Sequence, residues 1–90
     1  MRKWSVYMVR CADGSLYTGI SNDVVKRVKA HNAGKGAKYT RARGPVRLIY
    51  KRKMGSMSAA MRREHCIKRN GREYKEKLIK LFESRKMLKS

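Results

Sequence analysis

The sequence predicts a small α/β fold of the α+β type, in which three short strands form a sheet that helices flank. Segments 4–10 and 16–20 are rich in β-branched and aromatic residues and lie on either side of Asp13 and Gly14, so they predict a β-hairpin with a tight turn. Segment 46–53, VRLIYKRK, has the same bias and predicts the third strand. Between and after these strands, apolar residues recur at helical spacing.

Segment 4–10, WSVYMVR, carries apolar side chains on both of its faces. That pattern is typical of a strand that is covered on both sides. Because a two-stranded hairpin is not stable in water by itself, the third strand and the helices are needed to complete a core.

The first predicted helix begins at Asn22 or Asp23, which can cap it, and runs to about Asn32. Gly34 fits the left-handed residue that commonly ends a helix. The apolar stripe of this helix consists of Val24, Val25 and Val28.

Arg27 and His31 lie one turn apart at the edge of that stripe. We therefore expect both side chains to project along the sheet surface when the helix docks. Strand side chains would form the floor of a site at that place.

Two further helices are predicted after the third strand. One begins near Ser56 or Ser58 and runs to about Arg69; the other follows Gly71 and spans about 73–88. The apolar positions of the former are Ala60, Met61, Cys66 and Ile67. Those of the latter are Tyr74, Leu78, Leu81 and Leu88, a stripe that we expect to face the core.

The chain has 90 residues, which predicts a single domain, 1–90, with one modest core. Lys and Arg number 25 against 6 Asp and Glu, so the formal net charge is +19. Since the basic residues run through the whole chain, a polyanion is the predicted partner. No stretch approaches the roughly 18 apolar residues of a membrane span, and no secretory signal or membrane partner is predicted. Cys11 and Cys66 are far apart and predict free thiols, which favours a cytoplasmic protein.

Most of the acidic residues have a structural position of their own. Asp13 belongs to the hairpin turn, Asp23 to a helix start, and Glu76 is predicted to pair with Lys80 one turn on. Glu64, inside the second helix, has no such position.

Two interpretations of Glu64 are open. It can form an exposed ion pair with Lys68, four residues on. It can also be a lone metal ligand, because one carboxylate, several waters and a substrate phosphate together suit Mg²⁺.

A set of residues spread along the sequence resembles the motifs of a known family. The resemblance rests on Ser5-Val6-Tyr7, Tyr17-Thr18-Gly19, Arg27 and a helical Glu64. The pattern covers about residues 4–80 and resembles the GIY-YIG nuclease superfamily, especially its small single-domain bacterial subfamily. Ser5 stands where the usual first glycine is found, and Thr18 where isoleucine is usual. The resemblance implies a three-stranded antiparallel sheet flanked by helices, and metal-dependent cleavage of DNA phosphodiester bonds.

The resemblance also implies roles for individual residues. The implied catalytic residues are Tyr7, Tyr17, Arg27, His31 and Glu64, and Glu64 would hold a single Mg²⁺ or Mn²⁺. The fork of Arg27 suits two phosphate oxygens. We expect the dense positive charge around Tyr7 to favour its phenolate. The general base stays open among Tyr7, Tyr17 and His31.

A basic stretch follows the first helix. Residues 34–40, GKGAKYT, lack the residue order of a nucleotide-binding P-loop. We expect this loop to contact the nucleic-acid backbone and Tyr39 to offer a stacking face, the alternative being a solvated loop. The predicted nucleic-acid-binding residues are Lys35, Lys38, Tyr39, Arg41 and Arg43.

The predicted function is therefore metal-dependent hydrolysis of DNA phosphodiesters, in repair or recombination, by a cytoplasmic protein, with association with the nucleoid as the alternative location. Without a recognisable DNA-targeting domain, we expect a preference for branched or single-stranded DNA, or a protein partner that supplies targeting. The first alternative is a catalytically inactive nucleic-acid-binding module, with RNA as another partner. The second is an interaction protein that uses its last helix.

Overall fold

A three-stranded antiparallel sheet lies at the centre of the computed structural model, which describes the backbone of residues 3–89 and the side chains of residues 3–86. The elements in chain order are β1 (Ser5–Cys11), β2 (Leu16–Ser21), α1 (Val24–Asn32), α2 (Lys38–Arg41), β3 (Val46–Lys53), α3 (Met57–Arg69) and α4 (Arg72–Lys89). The strand order is β2-β1-β3, and β1 pairs antiparallel with both neighbours. The predicted α+β fold with its antiparallel sheet is confirmed.

The central strand, β1, is buried on both faces because helices pack on either side of it. Val6 and Met8 face a core to which α3 and α4 contribute. Tyr7 and Val9 face the other way, toward α1. Removing these side chains from water stabilises the fold by about 25 cal/mol per Å² of apolar surface. The apolar residues on both faces of β1 thus reflect its central position.

A β-bulge in β3 changes which side chains reach each core. Met8 lies opposite Tyr50 and Val9 opposite Leu48, so Ile49 is the extra residue of the bulged strand. As a result, Ile49 and Tyr50 both pack into the core with α3 and α4. Leu48 packs on the side of α1.

Two arginines attach α4 to the β1–β2 hairpin. Arg10 donates to Glu76 Oε1 at 2.9 Å, and Arg72 donates to the carbonyl oxygen of Gly14 at 3.1 Å. Glu76 Oε2 also lies 3.6 Å from Arg72. Glu76 therefore pairs with Arg10 and Arg72 instead of the predicted Lys80, because Arg10 reaches it from the neighbouring strand.

The helix ends follow the capping residues of the sequence. The Asp23 side chain accepts a hydrogen bond from the backbone N–H of Lys26 and caps α1. Ser56 caps α3 in the same way, through the backbone N–H of Ala59. Gly34 has a φ of +77°, the left-handed conformation that was predicted for it.

Four apolar residues that the sequence assigned to helix stripes are exposed instead. They are Val25, Met61, Cys66 and Leu81. The buried sectors are narrower and centre on Ala60 and Ile67 in α3 and on Ile79 in α4. A helix that packs on one face of a three-stranded sheet buries a narrow stripe, so apolar residues on its flanks stay in water.

The last helix, α4, packs against β3 and the core through half-buried side chains. These are Tyr74, Leu78 and Phe82, which lie one turn apart. The side chain of Leu88, predicted to continue this stripe, lies outside the described residues. Across residues 3–89, no helix combines the length and the apolar character that crossing a membrane requires.

The basic stretch between α1 and β3 contains the short helix α2, where the sequence predicted a loop. A single turn is too short to show periodicity, which is why the sequence gives no signal for it. Thr40, in the middle of α2, is completely buried.

We predict that Ile67→Ala lowers the free energy of unfolding by about 2–5 kcal/mol, because it leaves a cavity where a side chain with no exposed surface stood. Met61→Ala, on the same helix but half exposed, should change it by less than about 0.5 kcal/mol. Urea unfolding of both variants checks this difference. Equal losses would show that α3 packs with a different face.

Candidate active site

Three ring side chains meet on the face of the sheet that α1 covers. They are Tyr7 from β1, Tyr17 from β2 and His31 from α1. The hydroxyl oxygen of Tyr7 lies 2.9 Å from Nε2 of His31. The ring centroid of Tyr17 is 6.5 Å from that of Tyr7 and 5.4 Å from that of His31. The two tyrosines on either side of the hairpin turn are therefore direct neighbours of one histidine.

Gly19 makes room for both tyrosine rings. It lies opposite Tyr7 in the pairing of β1 with β2. A Cβ atom at this position would lie 2.8 Å from the Tyr7 hydroxyl oxygen and 3.1 Å from Cε2 of Tyr17. Both distances are below van der Waals contact, so a residue with a side chain would displace the rings. The lack of space beside the two rings thus explains why the third residue of the Tyr17-Thr18-Gly19 motif is glycine.

His31 is buried, with 2% of its surface exposed. Its Nδ1 atom lies 2.8 Å from Oγ1 of Thr40, in α2. The loop between the two helices passes so close that a Cβ on Gly36 would lie 2.8 Å from the Cα of His31. Burial lowers the pKa of His31, and the charge of Arg27 lowers it further. The imidazole is therefore neutral near pH 7.

The hydroxyl of Tyr7 is a neutral phenol in the folded protein. Burial raises its pKa above the ordinary value, and this outweighs the hydrogen bond and charge of Arg27, which lower it. The charges of Tyr17 and Glu64 raise it further. The expectation that positive charge would favour the phenolate is wrong, because desolvation of the anion exceeds that attraction.

Arg27 and Glu64 complete the cluster from two different helices. Arg27, half-buried on α1, acts on both Tyr7 and His31. Glu64 comes from α3 and lies near enough to Tyr7 to influence its pKa. The structure thus brings together all five predicted site residues.

Glu64 and Lys68 reach the site past the edge of the sheet. Ile67 of the same helix packs on the opposite face, but β2 is an edge strand, and Lys68 Nζ lies 5.9 Å from the ring centroid of Tyr17. Lys68 Nζ also lies 3.4 Å from Glu64 Oε2. The predicted ion pair is therefore present, and it lies beside the tyrosines.

The acidic residue of the site, Glu64, suits a metal ion that is held by one protein carboxylate together with water. Within the part of the chain that the structure describes, no cluster of three or more His, Cys, Asp and Glu side chains could enclose an ion. Glu64 is a partly exposed carboxylate next to the aromatic cluster. One carboxylate with bound waters and substrate oxygens fits Mg²⁺, which keeps much of its hydration shell. The residues fit this arrangement, with Lys68 as the group that an ion would displace.

The basic stretch lies against the same cluster through its aromatic residue. The ring centroid of Tyr39 is 5.9 Å from that of Tyr17, in a stacked orientation, and the Arg43 guanidinium lies 4.1 Å from the centroid of Tyr39. Arg43 also pairs with Asp13 at 3.3 Å. Lys35 and Lys38 are exposed, and Arg41 Nε donates to the carbonyl oxygen of Gly36.

Sequence reasoning missed several residues that shape the site. Thr40 and Gly36 contact the His31 ring, and Asn32 joins the end of α1 to β3 through two hydrogen bonds with the backbone of Val46, at 2.6 and 3.2 Å. These contacts connect segments that are separate in sequence. A spacing rule cannot find such contacts. The sequence offers one signal: segment 34–40 is rich in small residues that are not explained by a P-loop, because the segment lacks the P-loop residue order.

The site combines a buried tyrosine–histidine pair on an antiparallel sheet with an arginine on the first helix and a glutamate on a later one, and these residues carry the resemblance to a nuclease-like fold. Residues 3–80 match the model of the GIY-YIG catalytic domain, and the chain belongs to the GIY-YIG family. The predicted family is confirmed.

Within this family, the chain is similar to small proteins that share its length. It is 53% identical over 79 residues to UPF0213 protein SH2523 of Staphylococcus haemolyticus, covering 88% of this chain and 96% of that protein. It is also 53% identical over 74 residues to UPF0213 protein NP_0776A of Natronomonas pharaonis, covering 82% and 87%. These names state no activity.

Two solution NMR structures are also similar. UPF0213 protein BH0048 of Bacillus halodurans is 48% identical with a TM-score of 0.58, covering 88% of this chain and 84% of that one. Protein EF2693 of E. faecalis is 35% identical with a TM-score of 0.63, covering 92% and 88%. The described fold is therefore shared with solved structures.

We predict that Gly19→Ala displaces the Tyr7 ring and lowers the free energy of unfolding by about 1–3 kcal/mol, because the added methyl group overlaps two packed rings. Urea unfolding and the aromatic NMR signals of Tyr7 measure both effects. Gly55→Ala is the matched control, since its Cβ would meet nothing within 4 Å. An unchanged Tyr7 signal in Gly19→Ala would contradict the steric role.

We predict that stability falls as the pH decreases from about 6.5, the ordinary pKa of histidine, toward the lower pKa of folded His31. In that window the unfolded chain binds more protons than the folded one, so acid favours unfolding. Urea unfolding at several pH values measures this. His31→Gln should remove the loss between pH 6.5 and 5, whereas His65→Gln should retain it.

A second loss of stability is expected below about pH 4. Hydrogen bonds from Ser15 and Arg10 hold the pKa values of Asp13 and Glu76 below their usual range. Their stabilising contribution is present above the unfolded pKa and is lost as these carboxylates are protonated. This window lies apart from that of His31. If the free energy of unfolding fell in one continuous step across both pH ranges, the assignment of the upper range to His31 and of the lower range to Asp13 and Glu76 would be wrong.

Proposed function

We propose that this protein is a DNA endonuclease that hydrolyses phosphodiester bonds with Mg²⁺ or Mn²⁺. Membership of the GIY-YIG family supports a nucleic acid as the partner. One observation carries the proposal furthest: the buried Tyr7 hydroxyl is hydrogen-bonded to a neutral His31, and Arg27 lies beside both. This arrangement places a phenol, an unprotonated imidazole and a guanidinium side by side, which are groups that can move a proton and stabilise an anion.

The tyrosine–histidine pair supplies the base. A tyrosine alone is a weak base at pH 7, because its pKa is near 10. When the Tyr7 hydroxyl gives its proton to Nε2 of His31, its oxygen takes the proton of the attacking water. The water oxygen forms a bond to phosphorus, and the bond to one ester oxygen breaks. The proton that leaves the water thereby has a buried acceptor.

Tyr17 and Arg27 act on the substrate. Tyr17 is half-buried and more accessible than Tyr7, so it orients the water or a phosphate oxygen. The guanidinium of Arg27 donates to the phosphoryl oxygens, where negative charge increases in the transition state.

Glu64 is the residue that would hold the metal ion. When bound, the ion supplies a Lewis acid for the leaving oxygen. Lys68 neutralises Glu64 while no ion is there. It lies close enough to Tyr17 to contact a phosphate group instead.

The net charge of +19 supports binding to a polyanion without a separate targeting domain. The proposed contacts to the nucleic-acid backbone are Lys35, Lys38, Tyr39, Arg41 and Arg43. Branched or single-stranded DNA, RNA as a second ligand, a targeting partner, a cytoplasmic location and a role in repair or recombination belong to the proposal as well.

We predict that the wild-type protein nicks DNA when Mg²⁺ or Mn²⁺ is present and does not do so in EDTA. Supercoiled, linear, single-stranded and branched DNA are compared as substrates. Glu64→Gln and Arg27→Ala should each reduce kcat by about 10²- to 10³-fold, since each removes a group that stabilises the transition state. Fluorescence anisotropy should show that DNA affinity changes little. Glu73→Gln, an exposed carboxylate on α4, is the control with unchanged rates.

Three other results would change the interpretation. Full activity of Glu64→Gln would show that this carboxylate does not hold the metal. DNA binding without cleavage by every protein would favour the inactive binding module. Negligible DNA affinity at physiological salt would favour an interaction protein that uses α4.

A further inference from the structure

The Thr40 hydroxyl is the starting point. Thr40 is completely buried in α2, and no sequence pattern marks it as part of a site. Its Oγ1 atom has two polar neighbours: the carbonyl oxygen of Ala37 at 2.9 Å and Nδ1 of His31 at 2.8 Å. A hydroxyl group has one proton to donate.

The two neighbours of this hydroxyl define the direction of its hydrogen bonds. A carbonyl oxygen can only accept, so the Thr40 proton goes to Ala37. The Thr40 oxygen then accepts from His31, which requires a proton on Nδ1 of the neutral ring. Nε2 is left with a free lone pair.

The contact between His31 and Tyr7 indicates the same tautomer of His31, with no proton on Nε2. Arg27 lies close enough to the Tyr7 hydroxyl to lower its pKa, and a guanidinium can donate a hydrogen bond but cannot accept one. The O–H of Tyr7 therefore needs another acceptor, and Nε2 of His31 lies 2.9 Å away. It can accept only if it carries no proton.

The backbone around His31 holds this arrangement in place. Gly36 lies against the ring, and a Cβ at Gly36 would overlap the Nδ1 edge. The loop therefore closes over that edge, where solvent would otherwise compete with Thr40.

We propose that Thr40 is a positioning residue that holds His31 in the Nδ1-protonated tautomer, so that Nε2 can accept the proton of Tyr7. The hydrogen-bond chain runs from Tyr7 through His31 and Thr40 to the carbonyl of Ala37. The catalytic consequence rests on the proposed nuclease function, whereas the tautomer is a property of the folded protein alone. In the other tautomer Nε2 carries a proton, and Tyr7 has no base to receive its own.

The tautomer can be measured without DNA. In ¹⁵N-labelled protein, long-range correlation of the imidazole protons with both ring nitrogens distinguishes a protonated nitrogen from an unprotonated one. At pH 7.5 we expect a protonated Nδ1 and an unprotonated Nε2 for His31, with His65→Gln used to assign the signals. A protonated Nε2 in the wild-type protein would overturn the proposal, whatever the enzyme does.

Variants of Thr40 test the role of the hydroxyl. Thr40→Val keeps the shape and should shift the His31 tautomer toward Nε2–H, whereas Thr40→Ser should retain the wild-type signals. Thr18→Val is the matched control, because Thr18 is also buried and its Oγ1 has no hydrogen-bond partner among the described residues. It should leave the tautomer unchanged.

The same variants separate positioning from simple packing. On the DNA that the wild type cleaves best, Thr40→Val should lower kcat by about 10- to 100-fold, part of the rate that a positioned base supplies, with KM unchanged. Thr40→Ser should restore kcat. If Thr40→Val kept both the tautomer and kcat, the proposal would be wrong; if it failed to fold, Thr40→Ser and the wild-type tautomer would still decide. Absence of cleavage by the wild type would count against the nuclease function and leave the tautomer result standing.

Discussion

The hydrogen bond between Tyr7 and His31 is the contact on which the rest of the site depends. It joins the central strand to the first helix inside a dry part of the molecule. Two glycines make it geometrically available, because Gly19 leaves room for the tyrosine and Gly36 leaves room for the histidine. Burial keeps both groups neutral, which turns an ordinary packing contact into a phenol next to a free base.

Much of the fold could be predicted because its signals are local. The hairpin turn, the caps at Asp23 and Ser56 and the extent of β3 follow from a few neighbouring residues each. Burial depends on distant partners, and there the sequence was less informative. Val25 and Leu81 fit a helical stripe but face water, since periodicity does not tell how wide a surface the helix meets. Glu76 binds an arginine 66 residues away, which no spacing rule suggests.

The candidate site shows the same division. The resemblance identified the residues that the fold brings together, yet it could not tell how they interact. The charge of the chain pointed to an ionised Tyr7, whereas desolvation has the larger effect in the folded protein. The sequence did not predict Thr40 as a site residue, because its role depends on one buried contact with His31. Such a contact exists only after the loop has closed over the helix.

The pairing of β1 with β3 has a further consequence, for the kinetics of folding. In sequence, β2, α1 and α2 lie between these two strands, so their pairing closes a long loop at a large cost in chain entropy. Because Asn32 ties the end of α1 to the first residue of β3, the histidine and its support take their places when that loop closes. Assembly of the reactive groups and completion of the sheet are thus one cooperative event. A partly folded chain therefore carries the full positive charge of the protein before the contact between Tyr7 and His31 has formed.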